Sequence, residues 1–232
     1  MSLDVALILF QIVALFFALS VHECAHAYVA WRLGDPTAKM LGRVTLNPLK
    51  HLDPIGSVLF PVIGMFSGLP FIGWAKPCPI TTRNFKKVKR DDILTTLAGP
   101  GSNLALALIA LVLLIILRHF VKGGEMAVET ALGLAFHSQG IDTTALPALF
   151  PIALLLYYIL LVDLTLFVFN FIPIPPLDGS RILRIYLPYN ALRFYDSMGM
   201  FSLIILMLVG GRLLGVFFMP LLSLFNHALL TI

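Results

Sequence analysis

Three apolar runs, each long enough to cross a bilayer, constrain this chain more than anything else in it: Val5 to Trp31, Ile93 to Leu117 and Ala148 to Ile172. At 1.5 Å per residue each run matches or exceeds a hydrocarbon layer of about 30 Å. In that layer every backbone N–H and C=O must be satisfied inside its own segment, which leaves the helix as the economical solution. Only 12% of residues are charged and 59% are hydrophobic, far from the composition of an ordinary soluble domain. The expected fold class is an all-α integral membrane protein, read as a single domain over residues 1–232.

The interruptions are as informative as the runs. Gly34-Asp35-Pro36 ends the first span, and the stretch from Gly42 to Pro54 alternates loosely and carries two prolines, which suits a short strand pair or a re-entrant loop. Residues 55–73 are apolar but broken by Pro61, Gly64, Gly68 and Pro70, as in a partly inserted helix. Arg118 to Pro147 reads as an extramembrane loop, and PIPPLD at 173–178 must be unwound because proline constrains the backbone there. Residues 198–230 form either one bent helix or two short ones around Gly210-Gly211-Arg212. The N-terminal run starts beside Asp4 and is too long for a secretory leader, so it is expected to be retained.

Charge placement orients these spans. Ten of the 16 basic residues lie between Arg32 and Arg90, and Arg181, Arg184 and Arg193 follow the third span. The loop between the second and third spans has only Arg118 and Lys122 against Glu125, Glu129 and Asp142. By the positive-inside rule, the 32–90 and 173–197 regions face the cytoplasm of a multi-pass cell-membrane protein whose N-terminus is outside. Basic residues so distributed suit anionic lipid and cytosol, and nucleic acid is not an expected partner. Cys24 and Cys78 have no metal-finger or redox spacing.

Within the first span lies His22-Glu23-Cys24-Ala25-His26, an HExxH motif. At 3.6 residues per turn the two histidines lie about 40° apart on one helix face, with Glu23 about 100° from His22. Both imidazoles therefore reach one ion, and zinc accepts nitrogen and carboxylate ligands while leaving a place open in a catalytic site. The adjacent carboxylate is suited to accept a proton from the attacking water and pass it to a leaving amine. Two histidines and a glutamate are costly in hydrocarbon, so their presence implies a use. Hydrogen-bonded interior histidines or an ion path are the competing readings. A third ligand must sit at matching depth. His22 and His26 precede the cytoplasmic helix end near Arg32 by ten and six residues, roughly 9 to 15 Å. Asp178, just past the cytoplasmic end of the third span, is the candidate.

HECAH in the first span, AGPGSN at Ala98 to Asn103 and NFIPIPPLDG at Asn170 to Gly179 together resemble the site-2 protease family of intramembrane zinc metalloproteases. The resemblance implies one Zn2+ held by His22, His26 and Asp178, with Glu23 as catalytic acid/base. It also implies a three-helix catalytic core, accompanied by further transmembrane or re-entrant helices and a membrane-associated strand or loop segment at Gly42 to Ser57. The substrate implied is a transmembrane segment of a membrane protein, cleaved within the bilayer near its cytoplasmic face. Such forms lack the PDZ and nucleotide-sensing domains of larger relatives. A membrane metal-ion transporter is the alternative, disfavoured by the glutamate in the motif, the single metal constellation and the lack of an inverted repeat.

Other polar residues carry open readings. Asn170 either donates its amide to a developing oxyanion or caps the broken helix, and it joins Glu23 as a catalytic candidate. Asn103 reads as a packing residue beside small neighbours. Asp163, mid-span, is a functional carboxylate or a neutral brace. His51 and Asp53 read as loop structure rather than a second metal site, and His119, His137 and His227 lack ligand-spaced partners. Gly64-x-x-x-Gly68 and Gly211-x-x-x-Gly215 fit a helix-packing pattern compatible with a homo-oligomer. The extended segments at 42–54 and 173–178 could pair with an unwound substrate strand.

Overall fold

The computed structural model describes residues 3–59, 75–136, 146–197 and 201–231. Four helices among them are long and apolar enough to cross a membrane. Helix α1 is Leu3–Arg32, α2 is Val88–Phe120 and α4 is Phe150–Asn170; the fourth span, Leu208–Thr231, belongs to α7, Phe201–Thr231. Shorter helices are α3 (Gly124–Ala135), α5 (Asp178–Tyr186) and α6 (Tyr189–Ser197). The expected all-α membrane fold is therefore observed.

Helices α1, α2 and α4 pack on one another pairwise. Ala14 and Ala18 of α1, Ala107 and Ala110 of α2 and Ala153 of α4 are buried, since small side chains let helix backbones approach closely where lipid provides no hydrophobic drive. Leu114, Leu154, Leu160, Leu164 and Tyr157 fill the remaining interior. Val5, Leu9, Val13 and Phe17 recur every fourth residue on α1 and are exposed, which is the stripe a lipid-facing surface requires. Asp4 in the first turn and Arg32 in the last complement the helix dipole of α1. Helix α2 begins five residues before its apolar run, at a turn where Asp91 Oδ2 accepts from the Lys87 N–H at 2.8 Å.

One expectation changes, and two that were open between alternatives resolve. The region from Arg118 to Pro147 is not all loop: α3 buries Ala127, Val128, Ala131 and Leu134 against α2 and α4. Their helical spacing is present in the sequence, with Glu125 and Glu129 on the opposite face giving the stretch its mixed polar character. Helix α7 continues through Gly210, Gly211 and Pro220 as one element. The segment from Gly42 to Pro54 forms no strand among the described residues; it has a 3-10 turn at Pro48–Lys50 and one antiparallel bridge, Leu52 to Ala75. Side chains organise it instead. The Arg43 guanidinium donates to the carbonyls of Lys50, Lys76 and Pro77, and His51 Nε2 donates to the Thr45 carbonyl at 2.8 Å. Residues 60–73, with Gly64 and Gly68, and His137 lie outside the described residues.

The loop after α1 is clamped to the segment before α2. Asp35 is fully buried and accepts from the Thr37 N–H and hydroxyl, the Thr81 N–H and the Asn84 amide, at 2.5 to 3.1 Å. This tie fixes the axial register between the two helices that carry and flank the HExxH motif.

Candidate metal centre

His22 and His26 are buried on one face of α1 and aim their Nε2 atoms at one point, 3.1 Å apart. Asp178 Oδ2 stands 3.2 Å from His22 Nε2 and 3.1 Å from His26 Nε2. Their other ring nitrogens decide what these contacts are. His22 Nδ1 lies 2.6 Å from Asn103 Oδ1, and His26 Nδ1 lies 2.7 Å from the Thr95 carbonyl. An amide oxygen and a peptide carbonyl only accept, so each neutral imidazole carries its proton on Nδ1 and presents a lone pair at Nε2. Two lone pairs and a carboxylate oxygen thus converge with no hydrogen among them. That arrangement is repulsive alone and favourable around a cation. A tetrahedral zinc site with bonds of about 2.0 to 2.1 Å has ligand–ligand edges of about 3.3 to 3.4 Å, close to the separations seen. Among the described residues this is the one group of three or more His, Cys, Asp or Glu side chains able to hold a metal.

The second helix builds the back wall. Thr95, Gly99 and Asn103 lie four residues apart, one above the other on the face of α2 turned toward α1. Thr95 and Asn103 orient the two rings, and Gly99 makes room for them: a Cβ there would sit 2.3 Å from His26 Nε2 and 2.6 Å from His22 Cε1. Asn103 is thus more than the packing residue expected. It is fully buried, and its amide nitrogen donates to Asp163 Oδ1 at 2.6 Å. The i, i+4, i+8 spacing of Thr95, Gly99 and Asn103 was the available sequence signal, but nothing in the sequence says which face of α2 meets α1.

Asp178 opens α5 after the turns at 171–177, in which the Pro175–Pro176 peptide is cis. Gly179 lets α5 close against the end of α4, since a Cβ would lie 2.5 Å from the Phe171 carbonyl oxygen and 2.7 Å from that of Ile172. Arg181 pairs with Asp92 of α2 at 2.9 Å, and the Tyr195 hydroxyl of α6 donates to the Pro173 carbonyl at 2.8 Å. These ties bring the carboxylate of a segment 152 residues distant from His26 onto the histidine pair.

Glu23 is buried, and its Oε2 has no hydrogen-bond partner among the described residues. An orphaned carboxylate oxygen next to the histidine pair is free to take a proton. The segments around Thr45 and Cys78 lie over this flank, with the Thr45 backbone beside the Cys24 thiol and His51 and Cys78 within electrostatic reach of Glu23. Burial, assisted by Glu23 and opposed by Arg43 and Arg181, pushes the Cys78 thiol up to about 12. Burial also pushes His51 down, against the Thr45 carbonyl that favours its charged form. Asp53 accepts from the Ile55 and Gly56 N–H groups, so His51 and Asp53 serve the loop. Asn170 donates its amide to the Leu166 carbonyl at 3.0 Å, closing the last turn of α4.

Residues 10–209 match the family model of peptidase family M50, a stretch that includes every residue of this centre. The chain belongs to that family, the site-2 proteases. "Putative zinc metalloprotease YwhC" of Bacillus subtilis is 42% identical over 179 residues, covering 77% of this chain and 69% of the relative. "Putative zinc metalloprotease Rip2" of Mycolicibacterium smegmatis is 37% identical over 95 residues, 40% of this chain and 35% of that protein. Its namesake in Mycobacterium tuberculosis strain H37Rv is 29% identical over 192 residues, 83% of this chain and 62% of that protein. The chain thus spans less than two thirds of the mycobacterial relatives it matches. No solved structure matches. Family and geometry agree on a zinc metalloprotease, a hydrolase built into a multi-pass membrane protein.

Proposed function

We propose that the chain hydrolyses peptide bonds within or next to transmembrane segments of membrane proteins, with Zn2+ held by His22, His26 and Asp178 and Glu23 as the acid/base residue. The observation that carries this reading is the convergence of three proton-free ligand atoms, 3.1 to 3.2 Å apart, beside an unpartnered glutamate oxygen in a membrane helix. Zinc, when bound, supplies Lewis acidity toward water and toward a peptide carbonyl.

The protein's own residues do the rest. Thr95 and Asn103 hold the imidazoles by Nδ1, so that neither ring turns its proton toward the ion. Glu23 Oε2 accepts a proton from the attacking water and returns it to the leaving peptide nitrogen. A helical substrate conceals its carbonyls in hydrogen bonds to the residue four positions on, so it must unwind before cleavage. We assign residues 42–54, which lie beside Cys24 at Thr45, as the segment that meets the unwound chain.

The charge distribution supports an N-terminus outside the cell membrane and a centre near the cytoplasmic face. The peptidase unit comprises the whole of residues 1–232 in this reading. Purified Glu23→Gln protein should keep its zinc, lose proteolysis of a transmembrane substrate and retain bound membrane partners that the wild type releases as fragments. Full peptidase activity in that variant would overturn the assignment.

A further inference from the structure

The two metal-facing histidines are held in their tautomers by different means. His26 Nδ1 faces a peptide carbonyl, that of Thr95, which the helix fixes in direction. His22 Nδ1 faces the side-chain amide of Asn103, whose oxygen and nitrogen ends are nearly isosteric. Turned one way, Asn103 accepts from Nδ1–H and leaves a lone pair on His22 Nε2. Turned the other way, it donates to Nδ1 and drives the proton to Nε2, where it would point at the metal. Something must choose between the two.

We infer that Asp163, acting through Asn103, is the residue that fixes the metal-binding tautomer of His22. Asp163 is fully buried in the middle of α4, its Oδ1 lies 2.6 Å from Asn103 Nδ2, and its Oδ2 has no partner among the described residues. An acceptor oxygen at that place holds the amide nitrogen toward α4, which leaves Asn103 Oδ1 for His22 at 2.6 Å. The relay Asp163, Asn103, His22 crosses all three core helices. It also gives a use to a carboxylate that hydrocarbon otherwise makes costly. Asp163 and Asn103 are positioning residues in this account; neither is among the three candidate ligands.

The inference rests on His22 being a zinc ligand, and the experiment separates the two claims. In metal-free protein in detergent, with 15N-labelled histidine, wild-type His22 and His26 should both show Nδ1–H tautomers. Asp163→Leu should give His22 a mixture of tautomers while His26 stays Nδ1–H, and zinc binding should weaken by about 10-fold to 100-fold. The exchanged pair Asn103→Asp with Asp163→Asn presents an acceptor-only side chain to His22 and a donor behind it. It should restore the single His22 tautomer and bring zinc affinity back to within a few fold of wild type. A pure His22 Nδ1–H signal with wild-type zinc affinity in Asp163→Leu would overturn the relay. So would loss of that tautomer in the exchanged pair with His26 intact. If Asp163→Leu does not fold, the exchanged pair decides alone. Retention of zinc by His22→Ala would instead remove the ligand assignment, while the tautomers of the metal-free protein would still test the relay.

Discussion

Gly99 of α2 touches the His26 imidazole so closely that a single added methyl would lie 2.3 Å from Nε2, the atom that faces Asp178. The ring cannot retreat freely, because Nδ1 is tied to the Thr95 carbonyl four residues earlier on the same helix. Gly99→Ala should therefore leave a folded membrane protein that has lost most of its zinc. Metal content of the purified variant, measured with its melting temperature, checks this; full zinc occupancy would show that α1 and α2 separate cheaply.

Metal removal should destabilise the protein measurably. An ion bound by the folded chain and not by the unfolded one raises stability by RT ln(1 + [L]/Kd). Wild-type protein in detergent is expected to melt at a lower temperature after treatment with a strong chelator and to recover on adding zinc. His22→Ala and Asp178→Ala should melt alike with and without chelator. A chelator shift that persists in both variants would place the stabilising ion elsewhere.

Asp35 predicts an acid limit. Burial by itself pushes its carboxyl up, but the Thr37 hydroxyl, the Thr81 N–H, the Asn84 amide and the Thr37 N–H outweigh burial and hold it below the ordinary carboxylate range. Because the folded-state value is below the unfolded one of about 3.9, this stabilisation is complete above that pH and lost as pH falls through the folded-state value. Asp35→Asn should cost about 1.5 to 3 kcal/mol at pH 7. Denaturation compared at pH 7 and pH 3 should show the difference from wild type shrinking in acid; a gap independent of pH would remove the ionised carboxylate from the explanation.

The thiol of Cys78, pushed up to about 12, is almost wholly protonated at neutral pH. In a Cys24→Ala background iodoacetamide should modify Cys78 at pH 8 at least about tenfold more slowly than in the chain denatured by detergent. Equal rates would mean that the segment around Cys78 is not held over the Glu23 flank.

Much of this is legible in the sequence because its causes are local. The spans read from Val5 to Trp31, Ile93 to Leu117 and Ala148 to Ile172 became Leu3–Arg32, Val88–Phe120 and Phe150–Asn170, since apolar length in lipid admits little besides a helix. The pairing of His22 with His26 follows from a four-residue spacing on one helix. The turns at 171–177 follow from their prolines. Helix α3 is not legible in the same way, because an amphipathic helix and a mixed loop differ only in where the apolar residues face.

What the chain order could not supply is which helix faces meet. Gly99, Thr95 and Asn103 stand 69 to 81 residues from the histidines they serve, and Asp163 is reached only through Asn103. Sequence by itself determined the membrane helices, their orienting charges and a histidine pair able to share an ion. Tertiary structure decided that Asp178 closes on that pair and that the rings present lone pairs to it, because ligand direction depends on rotations about three packed helices that no local pattern encodes.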